Sequence, residues 1–213
     1  FLTLIRLKFV KKIIKKILKN FNIDIKRIHP ELKNSLSFDE IYIKKIKQTP
    51  IIFDVGANQG QSIKRFKKMF PNCLIHSFEP IKSEYSIIKE RYGNDKNVFI
   101  NNFALGDKSE TKDINVTAKS GNSSFNTINQ NTDWLRVRSK QNKTSETEYV
   151  KFKEEVQIIT LDKYCQKNLI KEIDILKVDT QGYEDKVLEG SNQMLEKNMI
   201  HAVELELMFD NVY

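Results

Sequence analysis

IIFDVGANQG, at residues 51–60, is an apolar run that reaches Asp54 and passes at once into small residues. Two of the seven glycines of the chain, Gly56 and Gly60, fall in this segment. Glycine lets a backbone approach a ligand closely, and a helix that begins here offers unpaired N–H groups. The segment lacks the G-x-G-x-x-G spacing of dinucleotide sites and the Gly-Lys-Ser/Thr of phosphate loops. The segment therefore predicts a strand–turn–helix binding site whose ligand is neither a dinucleotide nor a nucleoside triphosphate.

Short apolar runs alternate with amphipathic stretches from residue 51 onward. Strands are predicted at 51–55, 74–79, 98–104, 173–179 and 201–207. Helices are predicted near 61–69, 83–92 and 183–189, ended by Pro71, Gly93 and Gly190. This alternation is typical of βαβ units, so we expect an α/β fold with a mostly parallel, doubly wound sheet. Ligands of such sheets bind beyond the carboxyl ends of the strands.

An insertion at about 106–160 interrupts this alternation. Residues 113–117 and 150–159 alternate in the way of strands, and 119–147 is rich in Ser, Asn, Thr and charged residues. We expect a β-hairpin that carries a long polar loop. Loops of that length in a compact domain are usually functional or disordered.

The first two predicted strands both end in acidic residues. Asp54 suits a cationic group of the ligand, and the N–H groups of the turn that follows suit a carboxylate. Glu79, in SFEP, comes 23 residues after Gly56, where a carboxylate can accept both hydroxyls of a ribose. Pro80 fixes the turn that follows, so that the Glu79 carboxylate is expected to face the ligand site at the carboxyl ends of the strands.

The third and fourth strand ends add further candidates. Asn102 and the backbone of Ala104, in NNFALGD, are expected where an adenine edge would lie. Asp179 and Glu184, in LKVDTQGYE, are candidates for a general base, for binding a substrate hydroxyl or for metal ligation. Glu184 also has a structural interpretation, because an acid at a helix N-terminus complements the helix dipole.

These blocks, in this order and spacing, resemble the FkbM family of S-adenosyl-L-methionine-dependent methyltransferases. The resembling stretches are FDVGANQG, SFEP, NFALGD, GNSSF, TLDKY, LKVDTQGYE and VELELMFDNVY, and they cover about residues 50–213. The resemblance implies a Rossmann-like class I methyltransferase fold and O-methylation of a hydroxyl on a glycan or a natural product. It implies a site for S-adenosyl-L-methionine at Asp54, Gly56, Ala57, Asn58, Gly60, Glu79, Pro80, Asn102 and Ala104.

The acceptor is expected on the other side of the transferred methyl group. The loop 119–147 is expected to close over it with Ser123, Ser124 and Trp134, and Glu206 lies in the last resembling stretch. Trp134 suits stacking on a sugar, but it is as often a local packing anchor. Complete folds of this class have two more strands after the one at 201–207, so we expect the C-terminal strands to be missing from this chain.

The implied reaction is in-line transfer of a methyl group from a sulfonium to a hydroxyl oxygen. Positioning supplies much of the catalysis, and a weak hydroxyl nucleophile gains from a nearby base. Asp179 is the first candidate for this base and Glu184 is the second. The acids alone do not distinguish a base from a metal ligand, and no metal site is predicted, since Cys73, Cys165 and three scattered histidines show no ligand spacing.

The basic character of the chain belongs to its N-terminal segment. The whole chain has a formal net charge of +8 and residues 1–50 carry +9, so the body is near neutral. Apolar residues at helical spacing between lysines predict an amphipathic helix over 1–21, followed by a helix at 38–47. The first helix is expected either to lie on anionic lipid or to pack on the domain or a second protomer. Residues 1–48 form this segment and 49–213 the methyltransferase domain.

Two alternative functions stay open. An RNA methyltransferase is suggested by the lysines, but the place after strand four reads DTQGY instead of an Asn/Asp-Pro-Pro-aromatic motif, so no nucleic-acid partner is favoured. A non-catalytic domain that only binds the cofactor, or a scaffold, is the second. The start of the chain develops no secretory apolar core and no span of roughly 20 apolar residues occurs. We expect a cytoplasmic protein that acts on a small-molecule or glycan acceptor, with contact to the inner membrane face as a hypothesis.

Overall fold

The computed structural model describes residues 37–206 and 212–213. The chain divides into two compact units, Phe1–Ile41 and Tyr42–Tyr213, and both β-sheets belong to the second. The amphipathic helix expected over 1–21 lies outside the described residues. No helix among the residues described is long and apolar enough to cross a membrane.

Strands and helices alternate through most of the domain. The strands are β1 (Ile51–Val55), β2 (Leu74–Phe78), β3 (Val98–Asn101), β4 (Ala104–Leu105), β5 (Glu110–Thr117), β6 (Val150–Ile159), β7 (Ile175–Val178) and β8 (Val203–Leu205). The α-helices are α1 (Phe38–Lys45), α2 (Gln61–Met69), α3 (Lys82–Tyr92), α4 (Asp133–Gln141), α5 (Leu161–Lys167), α6 (Glu184–Glu189) and α7 (Asn192–Glu196).

The main sheet is five-stranded, with the strand order β3-β2-β1-β7-β8. Every neighbouring pair in it is parallel, which confirms the predicted α/β fold with a mostly parallel sheet. The order reverses direction at β1, because β2 and β3 extend to one side and β7 and β8 to the other. Such a switch point leaves a crevice at the carboxyl ends of the strands, where ligands bind.

Helices cover both faces of this sheet. On one face, Ile63 and Phe66 of α2 pack against Ile52 and Ile75, and all four side chains are fully buried. Burying a side chain of this size contributes about 1.5–3 kcal/mol. On the other face, the Tyr164 ring of α5 lies edge-on to Phe78, with 4.8 Å between ring centroids. The sheet is therefore doubly wound, as the sequence predicts.

A second sheet of three strands, in the order β4-β6-β5, carries the insertion. Strands β5 and β6 pair antiparallel, which confirms the predicted hairpin. The intervening segment contains a 3-10 turn at Ser120–Asn122 and the helix α4, where the sequence predicted only a polar loop. The helix begins because the Thr132 side chain accepts a hydrogen bond from the Leu135 N–H, 3.2 Å away.

The predicted strand at 98–104 is wrong in one respect, because the structure divides it into two. β3 ends at Asn101 in the main sheet, and β4 begins at Ala104 in the second sheet. The Asn102 side chain turns the chain between them. Its Nδ2 donates to the carbonyl oxygens of Glu79 and Pro80, at 3.0 and 2.9 Å. The break therefore directs the chain out of the main sheet and into the insertion.

Candidate functional site

A cavity of about 520 Å³ lies at the carboxyl ends of β1, β2 and β7, and the insertion forms its opposite wall. This volume is within the usual range of small-molecule sites. The predicted site residues that line the cavity are Gly56, Ala57, Asn58, Glu79, Pro80, Ala104, Ser123, Trp134, Asp179 and Glu206. The predicted site residues absent from its lining are Asp54, Gly60, Asn102, Ser124 and Glu184.

At its first glycine, the turn after β1 approaches another strand end, whereas the sequence predicts a close approach to a ligand. Gly56 has φ +81°, and a Cβ added there would overlap the carbonyl oxygen of Asp179. A side chain is therefore excluded because the ends of β1 and β7 meet at this point. Gly60, with φ +84°, immediately precedes α2 beside the Tyr92 ring and is not among the residues that line the cavity.

The backbone N–H groups of this turn are engaged within the protein. Those of Gly56 and Ala57 donate to the Phe78 carbonyl at 3.0 and 3.1 Å, and that of Gly60 donates to the Ala57 carbonyl at 2.8 Å. The Asn58 N–H donates to Glu79 Oε2 at 2.8 Å. The expectation that these amides hold a ligand carboxylate is therefore wrong for this geometry. They fasten the end of β2 to the end of β1 instead.

Glu79 is the buried acid of the cavity. Its side chain is 4% exposed, and its two carboxylate oxygens accept the N–H groups of Asn58 and Ile81 at 2.8 and 2.9 Å. Burial raises the pKa of Glu79 to about 8, although these hydrogen bonds favour the ionised form. Each oxygen keeps a lone pair for a ligand donor. The Asn102 side chain donates a hydrogen bond to the Glu79 carbonyl and is not part of the cavity lining. Asn102 therefore helps to position Glu79.

A buried ion cluster lies beneath the cavity. Lys177 Nζ is 3.6 Å from Asp54 Oδ1 and 3.4 Å from Asp179 Oδ2. Asp54 is fully buried, and burial raises its pKa while Lys177 opposes that shift. Burial by itself lowers the pKa of Lys177, but the Asp54 and Asp179 carboxylates outweigh it and the pKa is raised. Lys177 lines the cavity and Asp54 does not, so the structure assigns the floor to the lysine.

Two carboxyl groups meet at the end of β7 and β8. Asp179 Oδ1 accepts a hydrogen bond from Gln181 Nε2 at 2.8 Å. The pKa of Glu206 is raised, first because the Asp179 charge lies beside it and second because of burial. Both side chains line the cavity, so a proton can be held between them at this edge. Asp179 as the proton acceptor stays a prediction.

Glu184 has a different role from the predicted one. Its carboxylate accepts hydrogen bonds from the Thr180 N–H and hydroxyl, at 2.9 and 3.1 Å, and from the Gly182 N–H at 3.0 Å. These donors belong to the turn after β7, which Glu184 closes from the start of α6. The side chain is buried and does not line the cavity, so the structure contradicts Glu184 as the base.

The two predicted serines tie the insertion to the domain. Ser124 Oγ donates to the Gln181 carbonyl at 2.7 Å, and this bond explains why it does not reach the cavity. Ser123 Oγ accepts the Thr117 N–H at 3.1 Å while lining the cavity. Trp134 is both a cavity residue and a packing anchor, because its ring lies edge-on to Tyr149 at 6.0 Å.

Sequence analysis missed three cationic residues that line the cavity, namely Lys119, Arg138 and Lys177. Lys177 had a detectable signal, because it is a lone lysine inside the otherwise apolar run ILKV. Lys119 and Arg138 lie in the polar insertion, where many lysines and arginines make any one of them hard to single out by sequence. Among the described residues, no cluster of three His, Cys, Asp or Glu side chains is arranged to hold a metal ion.

The chain is similar to known methyltransferases in three comparisons. The model of the methyltransferase FkbM domain matches residues 54–213. The 2-O-methyltransferase NoeI of Sinorhizobium fredii is 26% identical over 153 residues, which are 71% of this chain and 61% of that protein. The chain thus spans about three fifths of the length of this relative. The crystal structure of methyltransferase FkbM from Methylobacillus flagellatus is similar to 70% of this chain and 31% of its own, at 11% identity and a TM-score of 0.44.

Proposed function

The chain belongs to the FkbM methyltransferase family, and on that premise we propose that it transfers a methyl group from S-adenosyl-L-methionine to a hydroxyl oxygen of a glycan or natural-product acceptor. The observation that carries the proposal is Glu79, a buried acid after β2 that lines a cavity of suitable size. The name of the relative NoeI, a 2-O-methyltransferase, supports oxygen as the acceptor atom.

The residues present fit this cofactor at its nucleoside end. Each Glu79 oxygen accepts one backbone N–H and keeps a lone pair, so the carboxylate can accept the two ribose hydroxyls. Pro80, Ile81 and Ala104 give the neighbouring wall the apolar character that a purine ring requires. The methionine end is then directed toward β1 and β7, where the Lys177 ammonium and the Asp179 carboxylate line the floor.

The bound cofactor supplies an electrophilic methyl group and a neutral leaving group. The protein supplies orientation and a proton acceptor. Asp179 is held on two sides, by Gln181 at 2.8 Å and by Lys177 at 3.4 Å, so its carboxylate has a fixed position at the cavity edge. We assign it the proton that leaves the acceptor hydroxyl. Glu206 lies beside it and is the next group that can share this proton.

Binding of the nucleoside should release a proton below about pH 8. The pKa of Glu79 is about 8 in the free protein, and hydroxyl donors favour the ionised carboxylate and lower this pKa. Calorimetry with S-adenosyl-L-homocysteine at about pH 7 in buffers of different ionisation enthalpy measures the release. Wild-type protein should release up to one proton and Glu79→Gln none. Binding enthalpies independent of the buffer would contradict the assignment of Glu79.

Transfer itself is tested with methyl-labelled S-adenosyl-L-methionine, the full-length protein and a panel of glycans and hydroxylated natural products. We expect label on a hydroxyl oxygen of one acceptor class, in a product whose ether survives mild base. Label on RNA would favour the nucleic-acid alternative. Cofactor binding without transfer to any acceptor, including an extract of the source cells, would favour the non-catalytic alternative.

A further inference from the structure

Two cationic side chains of the insertion, Lys119 and Arg138, line the cavity without an acidic partner. Neither forms an ion pair within residues 37–206 and 212–213. Lys177, the third cation of the cavity, is by contrast paired with Asp54 and Asp179. Positive charges that face a cavity unpaired are available to an anionic ligand.

Lys119 lies at the end of the cavity formed by the turn after β1. It precedes Ser120, whose hydroxyl accepts a hydrogen bond from Asn58 Nδ2 at 3.0 Å. The next residue, Gly121, is open, since a Cβ there would meet only Asn58 Nδ2 at 3.9 Å. Under the proposed function this is the amino-acid end of the cofactor, whose carboxylate needs a partner because the N–H groups of the turn are engaged.

Arg138 lies on α4, a helix whose packing reaches the turn after β7. Its helix packs through Trp134 into a cluster with Tyr149 and Tyr213. The Tyr213 ring in turn lies against Gly182, where an added Cβ would be 2.8 Å from Tyr213 Cδ2. This is the turn that follows Asp179, so α4 is linked by packing to the acceptor side of the cavity.

The Arg138 guanidinium is oriented by its own helix. Its Cζ lies 5.8 Å from the centroid of the Trp134 ring, four residues earlier on the same face. Its Nη1 donates to Gln141 Oε1 at 3.2 Å. A guanidinium has five N–H donors in a planar fork, so most of them remain for a ligand, and the fork matches a carboxylate or a phosphate. A lysine or a neutral amide lacks this geometry.

We propose that the acceptor carries an anionic group, a phosphate or a carboxylate, which Arg138 binds while the acceptor hydroxyl lies at Asp179. The inference rests on the proposed function and specifies its substrate class. Lys177 at the floor is already paired with Asp54 and Asp179, whereas Arg138 has no acidic partner among the described residues, so an anionic group is attracted to Arg138 and one acceptor orientation is selected. Trp134 offers an apolar ring face beside this group for the body of the acceptor.

The test uses the full-length protein saturated with S-adenosyl-L-homocysteine and two pairs of probes. The pairs are glucose 1-phosphate with glucose, and galacturonate with galactose, and their affinities are measured by saturation-transfer NMR titration. Wild-type protein should bind the charged member of a pair at least about tenfold more tightly. Arg138→Gln should abolish this preference. The matched control Lys140→Gln removes the same charge from an exposed position of the same helix that does not line the cavity, and it should retain the preference.

Three outcomes would overturn the inference. The first is equal affinity of wild-type protein for both members of each pair, including no binding of either. The second is equal loss of the preference in both variants, which indicates a general charge effect. The third is a weaker affinity of Arg138→Gln for S-adenosyl-L-homocysteine itself, which assigns the arginine to the cofactor carboxylate. Failure of wild-type protein to bind S-adenosyl-L-homocysteine would instead reject the proposed function, so the two failures are distinguishable.

Discussion

Asp179→Asn should lower the rate of methyl transfer by about 10²–10⁴-fold while the affinity for S-adenosyl-L-methionine changes little. The carboxamide keeps the size of the side chain and can accept the Gln181 hydrogen bond, but it cannot take the proton of the acceptor hydroxyl. Single-turnover transfer and calorimetry on the same preparation separate the two quantities. The variant should therefore transfer the methyl group more slowly and bind the cofactor about as tightly as wild-type protein.

Glu184→Gln is the matched control for this experiment, because sequence analysis proposes the same role for both acids. Its oxygens are occupied by Thr180 and Gly182 N–H groups, so the variant should affect the turn after β7 and lower transfer far less. A loss of transfer that is larger in Glu184→Gln than in Asp179→Asn would reject Asp179 as the proton acceptor. Comparable rates in Asp179→Asn and wild-type protein would reject it as well.

Lys177→Met should lower the free energy of unfolding by about 3–5 kcal/mol at neutral pH. The methionine fills a similar volume, but the fully buried Asp54 carboxylate loses its cationic partner, which lies 3.6 Å away in the wild type. Chemical denaturation monitored by circular dichroism measures the change. The double variant Asp54→Asn with Lys177→Met removes both charges and should recover part of the loss.

The defect of Lys177→Met should also depend on pH. Burial already raises the pKa of Asp54, and loss of the lysine raises it further. A carboxyl group with a raised pKa contributes stability that is fully present below its unfolded pKa of about 3.9 and is lost as the pH rises through the folded pKa. The destabilisation should therefore be larger at about pH 8 than at about pH 5. An equal loss at both pH values would show that lost packing, and not the buried charge, is responsible.

The parts of the fold that local signals determine agree with the sequence-based prediction. The bounds of β1 and α2 match, because an apolar run, a glycine turn and Pro71 mark them within the segment itself. α4 was missed, since a polar insertion hides a helix whose start depends on the Thr132 cap. The break between β3 and β4 was missed because it depends on hydrogen bonds from Asn102 to residues of another strand end.

The predicted site residues also fall into two groups, those that the sheet topology places and those that depend on contacts seen only in the fold. The sequence places Glu79 and Asp179 at one cavity because strand ends of a parallel sheet meet at one edge, and both residues line that cavity, while their roles stay predictions. The assignment of Glu184 failed because no sequence pattern shows whether an acid's acceptors are used by the N–H groups of its own turn. The sequence predicts that Asp54 faces the ligand. The fold shows that Lys177, its ion-pair partner, lines the cavity in its place, and no sequence pattern reveals this.

The most direct test of the cofactor site is calorimetry of the full-length protein with S-adenosyl-L-methionine, comparing wild type with Glu79→Ala. Wild-type protein should bind one equivalent, and Glu79→Ala should bind roughly ten- to a hundredfold more weakly, because two ribose hydroxyls lose their buried acceptor. Circular dichroism verifies that the variant is folded, and Glu196→Ala serves as the control at an exposed glutamate. Equal affinity of wild type and Glu79→Ala, or no binding by either, would contradict the proposed site.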